Sequence, residues 1–180
     1  MLLAAGSGRR FGGPKALADT GDGPWVLRAL STLDGLCDRI VVVGAAADRV
    51  AALLPSDVTA VHNPDYAGGM GSSLRVGLGA LDGDVDAAVV MLVDLPDVPA
   101  TVIRRVVDAA GPRPRGLLAR ATYRGAPGHP VLIGADHLPG VLGTATGDRG
   151  ARDYLAAHPV LAVECGDLAG GMDVDAPPAR

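Results

Sequence analysis

Arg9, Arg10 and Lys15 crowd the end of the first apolar run, inside a loop that also carries Gly6, Gly8, Gly12 and Gly13. Residues 1–17 read MLLAAGSGRRFGGPKAL. Glycine lets a backbone approach a ligand closely and take positive φ. Successive free N–H groups in such a turn form a concave anion site, and guanidinium and ammonium groups reach phosphate oxygens. A strand, a glycine loop and three cations, in that order, lay out a site for a polyphosphate. Two familiar versions of it are excluded. In the P-loop pattern a lysine and a hydroxyl follow the second glycine; after Gly13, Pro14 intrudes before Lys15 and Ala16 stands in the hydroxyl's place. The dinucleotide fingerprint from Gly6 would need glycine at Phe11, and an acid after the second strand. The second apolar run instead ends in Gly44-Ala45-Ala46-Ala47.

Other residues could work on the same ligand. Asp94 ends the most apolar run, at Val-Asp-Leu-Pro. A carboxylate there suits Mg²⁺, which takes one or two carboxylates plus substrate phosphates. Asp97, nearer Pro99, suits an N-cap. Asp173 and Asp175 stand two apart in the tail; on an extended segment both would point the same way, and either could partner Asp94. A solvated acidic tail is the alternative. Ser72 and Ser73 follow the loop Gly68-Gly69-Met70-Gly71, where they could donate to an anion at a helix N-terminus or cap the helix. His129 is a lone histidine between Gly128 and Pro130, at a strand start that could aim it into a cleft.

The first stretch resembles L-A-A-G-x-G-x-R-x-G-x-P-K, the signature of MobA-like nucleotidyltransferases. Leu3-Ala4-Ala5-Gly6-Ser7-Gly8 and Pro14-Lys15 match it, with Arg9 or Arg10 as the arginine. The family's Asp-x-Pro corresponds to Asp94-Leu95-Pro96. Its tail motif Asp-x-Asp-Thr-Pro-Glu-Asp corresponds to Asp173-Val174-Asp175-Ala176-Pro177-Pro178, with alanine for threonine and Pro-Ala for Glu-Asp. Gly-His-Pro-Val at 128–131 and Gly-Asp-Arg-Gly-Ala-Arg at 147–152 resemble the molybdopterin cytidylyltransferases, and the resemblance covers nearly the whole chain.

That resemblance implies a three-layer, Rossmann-like α/β nucleotidyltransferase fold with a mostly parallel sheet. It implies transfer of a nucleoside monophosphate from CTP to a phosphorylated acceptor, molybdopterin or molybdenum cofactor, with pyrophosphate released. Lys15, Arg9 and Asp94 would be catalytic. Ala4, Ala5, Gly6, Gly8, Lys15, Ser72, Ser73 and Arg75 would hold the nucleotide. Asp94 with Asp175 or Asp173 would hold Mg²⁺, and His129 and Arg152 would meet the acceptor. A molybdoenzyme or its chaperone is the implied protein partner. GTP as donor, a sugar phosphate as acceptor, and a non-catalytic nucleotide-binding homologue are the alternatives.

The elements that must position these residues alternate. Strands are predicted over 1–5, 39–43, 58–62, 87–93, 116–122, 129–133 and 160–164. Helices are predicted over 25–33, with Pro24 at its first position, and over 46–54, 72–81 and 99–110, the last closed by Gly111. A helix over 136–142 would be broken by Pro139, and another spans 148–158. Such alternation without a repeat argues for α/β architecture, whose ligands gather at the carboxyl ends of strands. At 180 residues, 1–180 reads as one domain. Only three residues precede Ala4, so an upstream start or a short first strand is expected. A net charge of −4 excludes a basic nucleic-acid face. No apolar run nears the roughly 18 residues of a membrane span. Cys37 and Cys165 make no disulfide framework, which fits the cytoplasm.

Base choice follows from the first loop. Cytidylyl-transferring relatives show Leu-Ala-Ala-Gly and guanylyl-transferring ones Leu-Ala-Gly-Gly, so the Ala5 methyl narrows the base slot. Removing a group of this size shifts discrimination by about 1–3 kcal/mol. Ala5→Gly is therefore expected to relax a preference for CTP without inverting it, read as competing kcat/KM values for CTP and GTP. A preference for GTP in the unmutated protein would overturn the cytidylyl expectation.

Overall fold

The strand Ala87–Leu92, β4, has the sequence AAVVML and takes the middle of a seven-stranded sheet. The computed structural model describes residues 1–176. The other strands are β1 (Leu2–Ala4), β2 (Ile40–Val43), β3 (Thr59–His62), β5 (Leu118–Tyr123), β6 (Ala126–Gly134) and β7 (Leu161–Glu164). Their order is β3-β2-β1-β4-β6-β5-β7, and β6 alone runs antiparallel to its neighbours. The helices are α1 (Trp25–Ser31), α2 (Ala47–Ala51), α3 (Met70–Gly79), α4 (Ala100–Ala110), α5 (Leu138–Thr144) and α6 (Arg152–Ala156).

Continuous apolar strands demand cover on both faces. Alternate residues of β1, β2 and β4 supply two cores. Leu2, Ala4, Val41, Val43, Val89 and Met91 face α1 and α4; Leu3, Ala5, Val42, Ala88 and Val90 face α3, α5 and α6. The result is the expected three-layer, mostly parallel α/β fold. After β1 the chain moves to β2 and β3, then returns to place β4 on β1's other side. The loops leaving β1 and β4 therefore diverge at the carboxyl edge, where an α/β sheet opens a crevice.

Several boundaries differ from the sequence reading. Pro24 and Pro99 are N-caps rather than first helical residues. Pro139 falls in the first turn of α5, where a missing N–H breaks no helical bond, so it does not interrupt the helix. Residues 123–128 are a tight hairpin, not a loop: Arg124 and Gly125 both have positive φ, and β6 begins at Ala126. Residues 147–149 form a 3-10 turn, leaving α6 only five residues. Residues 177–180, including Pro177 and Pro178 of the tail motif, lie outside the described residues. Among the described residues no helix is long and apolar enough to cross a membrane.

α3 starts at Met70, two residues ahead of the sequence reading, because Gly71 fits against the chain at Thr146. A Cβ on Gly71 would stand 2.6 Å from the Thr146 nitrogen. Neither backbone can yield cheaply, and such overpacking costs about 1–3 kcal/mol. Gly71→Ala is expected to lower Tm by roughly 3–10 °C for a chain of this size, measured by circular dichroism. An unchanged Tm would mean that α3 and the 146–147 turn are not in contact.

Candidate functional site

The glycine loop after β1 curls onto one carbonyl. Gly8 C=O accepts from the amides of Phe11, Gly12 and Gly13 at 2.9, 3.0 and 3.1 Å. Gly8 has φ +58°, and a Cβ there would lie 1.8 Å from Gly13 O, so only glycine closes this turn. Phe11 packs on Trp25 of α1, ring centroids 5.1 Å apart, and anchors the loop to the core. Not the whole loop is free for an anion, as its composition suggested. The amides of Gly6 to Arg10, on the wall of a cleft of about 490 Å³, are the ones left for it. Ala5, Gly6 and Gly8 line this first chamber. The Ala4 side chain points to the opposite core, because side chains alternate along a strand.

Lys15 opens the 3-10 turn Lys15–Leu17 and reaches back across the chamber. Its Nζ donates to Asp94 Oδ2 at 2.9 Å and to Asp175 Oδ1 at 3.1 Å. Arg10 pairs with the other oxygen of Asp175 at 3.6 Å from solvent, and exposed Arg9 lines the same wall. Burial works against the Lys15 ammonium. Hydrogen bonds and charge from Asp94, then Asp175, outweigh that and raise its pKa. Lys15, then Arg10, holds the Asp175 carboxyl below its ordinary value.

The serines divide. Asn63, fully buried, donates from Nδ2 to Ser72 Oγ at 3.0 Å and to Ser73 Oγ at 2.9 Å. Ser72 donates to the carbonyls of Asp65 and Gly69 and supports the loop rather than a ligand or the N-cap. Ser73 lines the first chamber; its oxygen accepts from Asn63, which leaves its hydrogen for a ligand. Arg75 is not brought to the chamber. Its guanidinium donates to the Ala145 carbonyl and ties α3 to the end of α5. Asn63 escaped the sequence reading, although Asn-Pro-Asp after a strand is a turn signal.

A second chamber of about 320 Å³ adjoins the first, and both are lined by Leu3, Met70, Leu92 and Asp148. His129, Arg152, Arg149 and Arg120 line it too. His129 is not at a strand start but inside β6, and its carbonyl accepts from Tyr123 OH at 2.6 Å. Burial, with the Arg120 charge, pushes its imidazole down to about 4, so it is neutral at pH 7. Arg149 is held by both oxygens of Asp153, while exposed Arg152 stands at the start of α6. Arg120, on β5, carries no motif and was missed.

Residues 1–162 match the MobA-like NTP transferase domain family. The chain belongs to that family. Nicotine blue oxidoreductase of Paenarthrobacter nicotinovorans is 37% identical over 190 residues, covering 97% of this chain and 90% of that protein. The crystal structure of the homologue of Mycobacterium tuberculosis Rv0371c from Mycobacterium sp. strain JC1 superposes with TM-score 0.84 at 29% identity, covering 97% and 88% of the two chains. Rv0371c from M. tuberculosis H37Rv, in complex with manganese, gives 0.72 at 27%, covering 91% and 85%.

In this MobA-like chain the donor set suits a hard divalent cation. Asp94 and Asp175 come from separate segments and converge on one point, marked by the Lys15 ammonium. Among the described residues no group of three or more His, Cys, Asp or Glu could hold a metal. The remaining ligands would be phosphate and water, which is how Mg²⁺ usually binds. Asp173 does not join Asp175. It lines the second chamber, whereas Asp175 lines the first, and residues 171–175 form no strand. The anchors of that tail are amides. Gly170 and Gly171 donate to Asp97 Oδ2 at 2.8 and 3.0 Å, and Val174 donates to the Asp94 carbonyl at 3.1 Å. Asp97 thus fastens the tail instead of capping α4.

The Lys15 bridge sets a pH window. Asp175, depressed in the folded state, contributes stability above the ordinary carboxylate value near 3.9, lost as pH falls through its lower folded value. Lys15, raised, contributes below about 10.4, and that is lost as pH rises through its folded value. In Lys15→Met the Asp175 carboxyl is expected to return upward toward its ordinary value, followed by the ¹³C shift of its carboxyl carbon. An unmoved titration would show that Lys15 does not hold Asp175 in solution.

Proposed function

We propose that this MobA-like chain transfers a nucleoside monophosphate from a nucleoside triphosphate to a phosphorylated acceptor, with pyrophosphate leaving. CTP is the proposed donor, a molybdopterin-type phosphate the acceptor and Mg²⁺ the cofactor. The observation that carries the reading is the meeting of Lys15, Asp94 and Asp175 on the wall of a chamber that adjoins a second one. A two-substrate transfer needs such adjacency. The Ala5 side chain on the first chamber's wall supports a single-ring base, and the manganese complex of Rv0371c supports a divalent ion.

In this reading the loop amides, Ser73 and Arg9 or Arg10 seat the triphosphate. Lys15 leaves its carboxylates to meet phosphate oxygens, so that its charge is fixed where negative charge builds in the transition state. Asp94 and Asp175 would hold Mg²⁺, which when bound neutralises phosphate charge and orients the phosphates. An acceptor phosphate oxygen attacks the α-phosphorus from the second chamber, and the bond to pyrophosphate breaks. No protein nucleophile is required.

The 37% identity to a protein named as an oxidoreductase favours a second reading, a redox enzyme on this fold. The missing dinucleotide fingerprint weighs against it. The two separate in one assay: labelled CTP or GTP with Mg²⁺, with and without molybdopterin or a sugar phosphate, against nicotine blue with NADH or NADPH. Acceptor-dependent pyrophosphate release from CTP is expected. Asp94→Asn should cut it by on the order of a hundredfold or more while Tm barely moves. Dye turnover without pyrophosphate would establish the redox reading, and nucleotide binding without either reaction a non-catalytic homologue.

A further inference from the structure

Arg120 stands in the middle of β5 and lines the second chamber. One Nη donates to the Gly128 carbonyl at 3.4 Å, while its buried Nε has no acceptor among the described residues. Nor is Arg120 in any ion pair among them, whereas Arg149 is neutralised by Asp153. Asp148 and Asp173 also line the chamber, and neither pairs with it. Burial, then the charge of Arg152 on the rim, pushes the Arg120 guanidinium below its ordinary pKa. His129 is neutral and relieves nothing. Of the three guanidiniums that line this chamber, those of Arg120 and Arg152 are in no ion pair among the described residues, and the first keeps an unused buried donor. The lining also includes an apolar floor of Val90, Val131 and Leu155. A half-buried fork of N–H donors beside a second cation is matched by an oxyanion, which guanidinium binds in two-pronged fashion. An apolar floor asks for an apolar body attached to it.

We propose that the second chamber binds a small molecule whose ring body lies on this floor and whose oxyanion is clamped by Arg120 with Arg152. As the place of the second substrate, the assignment rests on the nucleotidyl-transfer reading; as an anion site it rests on Arg120. Phosphate monoesters and carboxylates share the required chemistry.

Fluorescence titrations with 2-naphthyl phosphate, 2-naphthoate and 2-naphthol test it on the full chain and on Arg120→Met, Arg120→Lys and Arg152→Met. One anion or both should saturate the unmutated protein, and the tighter one names the oxyanion. Arg120→Met should weaken it tenfold or more, Arg120→Lys should recover only part because the planar fork is gone, and Arg152→Met should weaken it less. Saturation by neither anion, naphthol binding as tightly as the anions, or equal binding by Arg120→Met overturns the proposal. Should Arg120→Met fail to fold, Arg120→Lys and Arg152→Met carry the same comparison, and undiminished anion binding by both overturns it. Mg²⁺–CTP binding is measured in parallel. If CTP does not bind while the anions behave as expected, the CTP-donor reading is refuted and the anion site stands.

Discussion

One ammonium held between two carboxylates organises this protein. Lys15, Asp94 and Asp175 have no local reason to meet; each follows a different part of the chain. Carboxylates brought this close would repel, and the lysine charge between them removes that cost. The same three groups present two hard-oxygen donors suited to a cation and one fixed positive charge on one chamber wall. The curl of the loop onto Gly8, the Phe11–Trp25 contact and the fastening of the tail by Asp97 all serve to keep this triad registered.

Topology explains why the cleft has two parts. β1 and β4 are neighbours in space but lead to different halves of the sheet, so their carboxyl ends open a crevice. The parallel side, with the loops after β1 and β3 and the start of α3, walls the first chamber. Beyond β4 the antiparallel β6 and its hairpin partner β5 bring Arg120 and His129 to the second. Leu3 and Leu92, paired across the β1–β4 ladder, contribute to both chambers.

The legible parts of the sequence were those whose physics is local. The alternation of elements points to the α/β fold, and glycine density, the cations beside it and an aspartate ending an apolar strand point to the first loop and Asp94, which the structure brings to one cleft. Asp173 and Asp175 line different chambers, which the i, i+2 rule does not foresee because it holds for a regular strand and this tail forms none. Ser72, Arg75 and Asp97 have chemistry suited to ligands or caps, and only tertiary packing showed that carbonyls and amides use them instead. Asn63 and Arg120 were invisible for the converse reason. Each is a single polar residue beside or within a strand, and its surroundings are assembled from segments distant in sequence.

The Lys15–Asp175 contact spans 160 residues of sequence. Bringing such remote segments together costs chain entropy, and long-range pairings of this kind form slowly. The glycine loop therefore lacks one of the two carboxylates of its lysine until residue 175 has been made and brought back to it. Completion of the site depends on a contact that only the folded chain supplies, so binding competence also reports on the fold.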